Sequence, residues 1–333
     1  MEGSKKIEKE YIEKISLDNF VNLMPFFYEM ESTFLSGIYK RYGDLVGGNI
    51  VIFFAKDLHL KILRKREINL AFNLSLDEFW HNHKNIIQDK KKIITVAKSV
   101  GLPRETVRRK ILCLIKTKHI KKTKKNTVFW EPDSRSKETY IEIIREQINS
   151  LSRFVFQQSK LVSLNIPLSK IEKEIKNNYS FYWYHYLNTQ LHYIKFWQEQ
   201  LKDLEMLLIG LQTLIQTARY LKATGKFQTF DSFTINKISK DIDSVYIKNA
   251  NISATSISEV TGIPRANCIR KLEKYIKMKV LEKDPVTKRY YLAPSQLSAK
   301  NQFSSANTLL DGMKYTISIF SEFSSTILRS LAK

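Results

Sequence analysis

Apolar residues recur along this chain at two spacings, one belonging to helices and one to short strands. Val96 and Val100 share a face four residues apart, and Val107, Ile111, Leu114 and Ile115 form a second stripe at helical period. Two strand-like runs follow, His119 to Lys122 and Thr127 to Trp130, and the polar Lys124-Lys125-Asn126 between them predicts a hairpin. Tyr140, Ile141, Ile144, Ile148, Leu151 and Val155 then predict a connecting helix. A loop at Asn165-Ile166-Pro167 precedes Ser169-Lys170-Ile171-Glu172, which reads as a capping box opening another helix. From Tyr179 to Trp197 aromatic residues are too many for one face of a surface helix, so that segment is predicted to be central and buried. Leu204 to Leu221 is strongly apolar but contains Gln212, Thr213, Gln216, Thr217 and Arg219, which suits a buried helix and not a membrane span. Leu309, Met313, Ile317, Phe320, Phe323, Ile327 and Leu331 mark a C-terminal helix that either docks on the body or pairs with a second chain.

The chain also repeats. Gly101-Leu102-Pro103-Arg104 returns as Gly262-Ile263-Pro264-Arg265, an offset of 262 − 101 = 161. At that offset Arg109-Lys110-Ile111 meets Arg270-Lys271-Leu272, Lys118 meets Lys279, and Phe129-Trp130 meets Tyr290-Tyr291. Upstream, the apolar segment after Gly43-Asp44-Leu45 parallels the one after Lys202-Asp203-Leu204, at an offset of 159. The expected organisation is a charged segment 1–19, a first repeat 20–135, a connecting helix and loop 136–178, a second repeat 179–294, and a C-terminal amphipathic helix 295–333.

Each repeat reads as a short helix, a glycine turn and a second helix opened by proline. Gly101 and Gly262 can take the positive φ of the turn, and Pro103 and Pro264 suit a first helical turn, where a backbone N–H has no helical partner. In the second copy Cys268, Leu272, Tyr275 and Ile276 point inward, and Val280 to Lys283 and Arg289 to Leu292 flank Asp284-Pro285-Val286-Thr287 as another hairpin. These segments, at about 90–132 and 252–294, resemble the winged helix-turn-helix transcriptional regulators. The resemblance implies a mainly α fold with two winged units, their hairpins as wings, on long supporting helices, and with the repeat those helices are expected to pack against their counterparts about a pseudo-twofold. It also implies that 103–116 and 264–277 are recognition helices for the DNA major groove.

Charge agrees with that implication. The 55 Lys and Arg against 33 Asp and Glu give a net +22, which makes a polyanion the expected partner. Only 14 of the basic residues are Arg, yet five of those stand at 104, 108, 109, 265 and 270, where a planar bidentate fork serves base reading better than a point charge. The expected base contacts are Arg104, Glu105, Arg108, Arg109, Arg265, Asn267 and Arg270. The expected phosphate contacts are Lys91, Lys92, Lys110, Lys121, Lys122, Lys124, Lys125, Lys271, Lys288 and Arg289. Because Arg104, Glu105 and Arg108 differ from Arg265, Ala266 and Asn267, the expected DNA site is asymmetric.

Other chemistry finds little footing. Cys113 and Cys268 stand alone, with neither a disulfide framework nor a zinc spacing, and fit a reducing cytoplasm. His81 with His83, and His185 with His192, lack accompanying Cys or carboxylate clusters and read as packing residues, so no metal or other cofactor is expected. No phosphate loop, nucleophile elbow or paired-carboxylate motif appears, and the expectation is a non-enzymatic DNA-binding regulator in the cytoplasm, on the nucleoid, with no membrane partner. A homodimer through the long helices or the C-terminal helix is one arrangement of it. The rival readings are a winged protein-interaction module of a chromosome-associated complex and a replication-initiator-type DNA-binding protein.

Overall fold

Nearly every long apolar segment becomes a helix, and the helices find their partners across the two halves of the chain. The computed structural model describes residues 7–69, 72–133, 137–225, 228–234, 249–293, 302–304 and 307–332. Its first half runs α1 (Lys9–Asp18), α2 (Phe20–Tyr42), α3 (Leu45–Ile68), α4 (Leu76–Asn82), β1 (Lys91–Lys92), α5 (Ile93–Val100), α6 (Arg104–Lys116), β2 (Ile120–Lys122), β3 (Thr127–Trp130) and α7 (Lys137–Leu161). The second half runs α8 (Leu168–Asn177), α9 (Tyr179–Leu201), α10 (Leu204–Thr224), α11 (Phe230–Thr234), α12 (Ala254–Thr261), α13 (Arg265–Lys277), β4 (Leu281–Lys283) and β5 (Tyr290–Leu292). It closes with a small antiparallel pair, β6 (Gln302–Ser304) and β7 (Asn307–Thr308), and α14 (Leu309–Leu331).

The pairing is reciprocal. α2 lies along α10 and α3 along α9, so the first long helix of each half packs on the second long helix of the other. In the same way α1 packs on α14 and α8 on α7, while α7 covers α2 and α14 covers α9. The described elements are thus related by an approximate twofold, with Glu31 of α2 and Gln190 of α9 (31 + 159 = 190) meeting near its axis at 2.7 Å. The apolar residues of α2, α3, α9 and α10 share one core. Tyr179, Tyr182, Trp183, Tyr186, Tyr193 and Trp197 are buried in it, so the aromatic helix is central.

Segments outside 20–135 and 179–294 also join the reciprocal pairing. α1 corresponds to α8, and α7 to α14, so segments expected to lie outside the repeats take part in their exchange. Gln158 of α7 donates to Ser16 Oγ of α1 (3.2 Å), and Ser318 of α14 donates to Glu13 of α1 (2.8 Å). The apolar stripe of α14 is spent inside the chain: Met313, Ile317, Phe320, Phe323, Ile327 and Leu331 are all buried, each worth about 2 kcal/mol of apolar burial. Of the two arrangements expected for this helix, docking on the body is the one its stripe makes in this chain.

One expected local feature is absent. α8 begins at Leu168 behind Pro167, without a side-chain cap, because the helix starts one residue before Ser169 and puts that serine inside its first turn. The capping box forms instead at α4, where Ser75 and Glu78 exchange side-chain and backbone hydrogen bonds.

Candidate nucleic-acid interface

Each half carries a helix, a tight turn, a second helix and a hairpin, mounted on its second long helix. α5 ends at Gly101 (φ 67°) and α12 at Gly262 (φ 76°), left-handed conformations that cost a residue with a Cβ more than glycine. Pro103 and Pro264 stand at the N-caps of α6 and α13, one residue before the helices begin. Val107, Ile111 and Leu114 of α6, and Cys268, Leu272 and Tyr275 of α13, are buried. The hairpins differ in register by one residue: Ile120 pairs with Trp130 and Lys122 with Val128, whereas Leu281 pairs with Leu292 and Lys283 with Tyr290, so the second turn is one residue longer. An extra strand, unanticipated in the sequence, lies beside the first hairpin, where β1 pairs antiparallel with β3, and in the second unit a single bridge from Ile252 to Tyr290 takes its place.

A matched ion pair locks each second helix to its support. Asp44 caps α3 by accepting from Gly47 N at 2.6 Å and also receives Lys110 Nζ of α6 at 2.9 Å. Asp203 caps α10 by accepting from Glu205 N at 3.1 Å and receives Lys271 Nζ of α13 at 2.5 Å, with Glu205 a further 3.1 Å partner. Tyr275 adds a hydrogen bond from its hydroxyl to Met206 O of α10 at 2.7 Å. These anchors fix the angle at which α6 and α13 project.

Several of the lysines expected to meet phosphates have carboxylate partners within the chain. Lys271 is buried between its two carboxylates and has no surface to offer. Lys110 is held by Asp44, Lys91 by Asp57 at 3.0 Å and Asp89 at 3.6 Å, and Lys121 by Glu131 across the hairpin. Lys92, Lys122, Lys124, Lys125 and Lys288 are exposed, with no ion-pair partner among the described residues. Arg289 is exposed and donates to Asn251 at 3.3 Å.

No family model, curated protein or solved structure matches this chain. On α6, Arg104, Glu105, Arg108 and Arg109 are all exposed. Arg108 is clasped by Glu105, while Arg104 and Arg109 have no hydrogen-bond or ion-pair partner among the described residues. The hydrogen bonds from Arg108 hold the Glu105 carboxyl below its usual range, helped by the charges of Arg104 and Arg109. On α13, Arg265 and Arg270 are exposed and Asn267 half-buried, with Arg265 donating to Thr255 at 3.1 Å.

The two units differ most in charge. Residues 88–132 hold 14 Lys and Arg against 3 Asp and Glu, a net +11, whereas residues 249–293 hold 9 against 4, a net +5. Half of the chain's +22 thus sits on the first unit.

Of the four histidines expected to be packing residues, His81 and His192 are exposed and only His83 and His185 pack. His83 is buried among Phe79, Trp80 and Trp130, with Nδ1 2.6 Å from Trp80 O, and His185 packs edge-on to Phe181 and Tyr184. Among the described residues no group of three or more His, Cys, Asp or Glu could hold a metal ion, and no helix is long and apolar enough to cross a membrane. Asp44 and Asp203 are the anchors sequence reasoning passed over. They mark the 159-residue alignment, and an aspartate opening an apolar helix is the available signal. A second missed signal is Ile12-Glu13-Lys14 with Asn19, matched at the same offset by Ile171-Glu172-Lys173 with Asn178, which ties α1 to α8.

Proposed function

We propose that this protein is a sequence-specific double-stranded DNA-binding regulator of transcription, acting on the nucleoid and not as an enzyme. Its two units are read as winged helix-turn-helix units, with α6 and α13 as recognition helices and the two hairpins as wings. The observation that carries this reading is the outer face of α6: unpaired Arg104 and Arg109 on a helix held rigidly from behind, in a unit of net +11. Unpaired guanidinium forks suit the O6 and N7 acceptors of guanine, and the exposed Lys92, Lys122, Lys124 and Lys125 suit flanking phosphates. The second unit, with a smaller charge and Arg265 and Arg289 hydrogen-bonded within the chain, sets register on a site the first unit anchors.

The test is duplex affinity measured against salt for the intact chain and for Arg104→Ala/Arg109→Ala. The affinity is expected to fall log-linearly with salt, by about 0.9 log unit of affinity per log unit of salt for each phosphate neutralised. The double substitution is expected to weaken binding substantially and relax sequence preference. Salt-insensitive binding that the substitutions leave unchanged sinks the proposal.

A further inference from the structure

The exposed face of α6 carries one feature that α13 lacks. Arg108 Nε lies 2.8 and 3.1 Å from the two oxygens of Glu105, and Arg108 Nη2 lies 2.7 Å from Oε1, a two-pronged clasp across a single helical turn. At the offset of 161 these positions are Ala266 and Ile269, while the flanking Arg104 and Arg109 are kept as Arg265 and Arg270. The clasp is an addition to a shared pair of arginines.

Its chemistry distinguishes two kinds of DNA contact. A phosphate approaching α6 can take Arg108 only by displacing Glu105, and the freed carboxylate is then left facing a polyanion. A base step that offers both an acceptor fork and an amino donor leaves neither group stranded. Arg108 moves to guanine O6 and N7, and Glu105 accepts from the N4 amino group of cytosine. Both side chains are at least half exposed, so solvent screens the pair and opening it is cheap when both ends are re-paired.

We propose that Glu105 is a specificity gate: it neutralises Arg108 on non-cognate DNA and releases it only on a site presenting guanine and cytosine together to α6. This rests on the DNA-binding reading above.

The experiment compares the full-length protein with Glu105→Gln and Glu105→Gln/Arg108→Gln. Each is titrated with a mixed-sequence duplex and with a site selected by the unsubstituted protein, at several salt concentrations, after thermal melting confirms equal folding. Glu105→Gln is expected to bind mixed-sequence DNA more tightly, with a salt slope steeper by about 0.9. Its advantage over the unsubstituted protein should therefore shrink about 3.5-fold between 50 and 200 mM salt. Its preference for the selected site should fall, and the double variant should return to the original slope on mixed DNA. An unchanged slope and preference overturns the gate. So does a loss of selected-site binding with no gain on mixed DNA, since Glu105 is then a base contact alone. If the unsubstituted protein binds neither duplex at any salt, the DNA reading fails first and takes the gate with it.

Discussion

Replacing Glu31 with glutamine tests the packing at the twofold. Glu31 is fully buried, and its Oε1 accepts from Gln190 Nε2, but Oε2 has no partner, nor does Gln190 Oε1 or the neighbouring Tyr186 hydroxyl. Burial, only partly offset by the hydrogen bond from Gln190, pushes its carboxyl up from 4.5 to about 8. The folded protein therefore holds Glu31 protonated at neutral pH, whereas the unfolded chain ionises it. The stability this group allows is fully present below about 4.5 and is lost as pH rises to about 8. The loss amounts to about 1 kcal/mol at pH 5, about 3 at pH 7 and nearly 5 above pH 9. Glutamine keeps the shape and carries a permanent donor where Oε2 must take up a proton. Urea unfolding of both proteins from pH 5 to 9 is expected to show Glu31→Gln gaining on the original by roughly 2.5 kcal/mol between pH 5 and 7, then levelling off near 9. Taking the difference at each pH cancels the histidine contributions common to both. A gap that does not change with pH refutes the buried, protonated carboxyl.

Lys271→Ala is expected to cost about 2–3 kcal/mol in urea unfolding, because it strands Asp203 and Glu205, yet to leave the salt slope of DNA binding unchanged for the folded fraction. Lys124→Ala should do the reverse. Gly210→Ala would place a Cβ 2.7 Å from the Tyr275 hydroxyl, disturbing its bond to Met206 O, and should lower stability by about 1–3 kcal/mol on melting. Burial lowers His59 to about 3 and His119 to about 4. Below about 6.5 the unfolded chain takes up protons that the folded one refuses, so stability should fall by about 2 kcal/mol at pH 5 from His59 alone. His59→Phe, which preserves a ring to stack on Phe79, should flatten that acid limb.

Gly-x-Pro-Arg, the inward stripes and the strand-like pairs made the helices, turns and hairpins of both units legible, because their geometry depends on local residue chemistry. Packing of the long helices across a pseudo-twofold followed from the repeat, but the crossed choice of partners, α2 with α10 and α3 with α9, did not. α2, α3, α9 and α10 bury residues around much of their circumference, so no single stripe on any of them says which neighbour it will meet. The interface was legible as composition and not as pairing. Arg104 and Lys124 stand exposed where a charge count leaves them, but whether a lysine reaches solvent depends on a carboxylate remote in sequence, as with Asp57 for Lys91 and Asp203 for Lys271.

The crossed pairing of α2 with α10 and of α1 with α14 also bears on synthesis. From the end of α2 at residue 42, another 182 residues (224 − 42) must be made before α10 is complete, and α1 waits for the last helix of all. At ordinary ribosome speeds the first of those delays is on the order of 10–40 seconds. Throughout it α2 keeps uncovered the face that α10 will take, while α7 and α3 of its own half can cover only the rest. A nascent chain of this design invites association with a second ribosome's product, first half with first half. Fusion of two unlike halves makes the correct partner arrive on the same thread, at a one-to-one ratio and at high local concentration. Its cost is late closure, so folding should be slow and sensitive to truncation from either end.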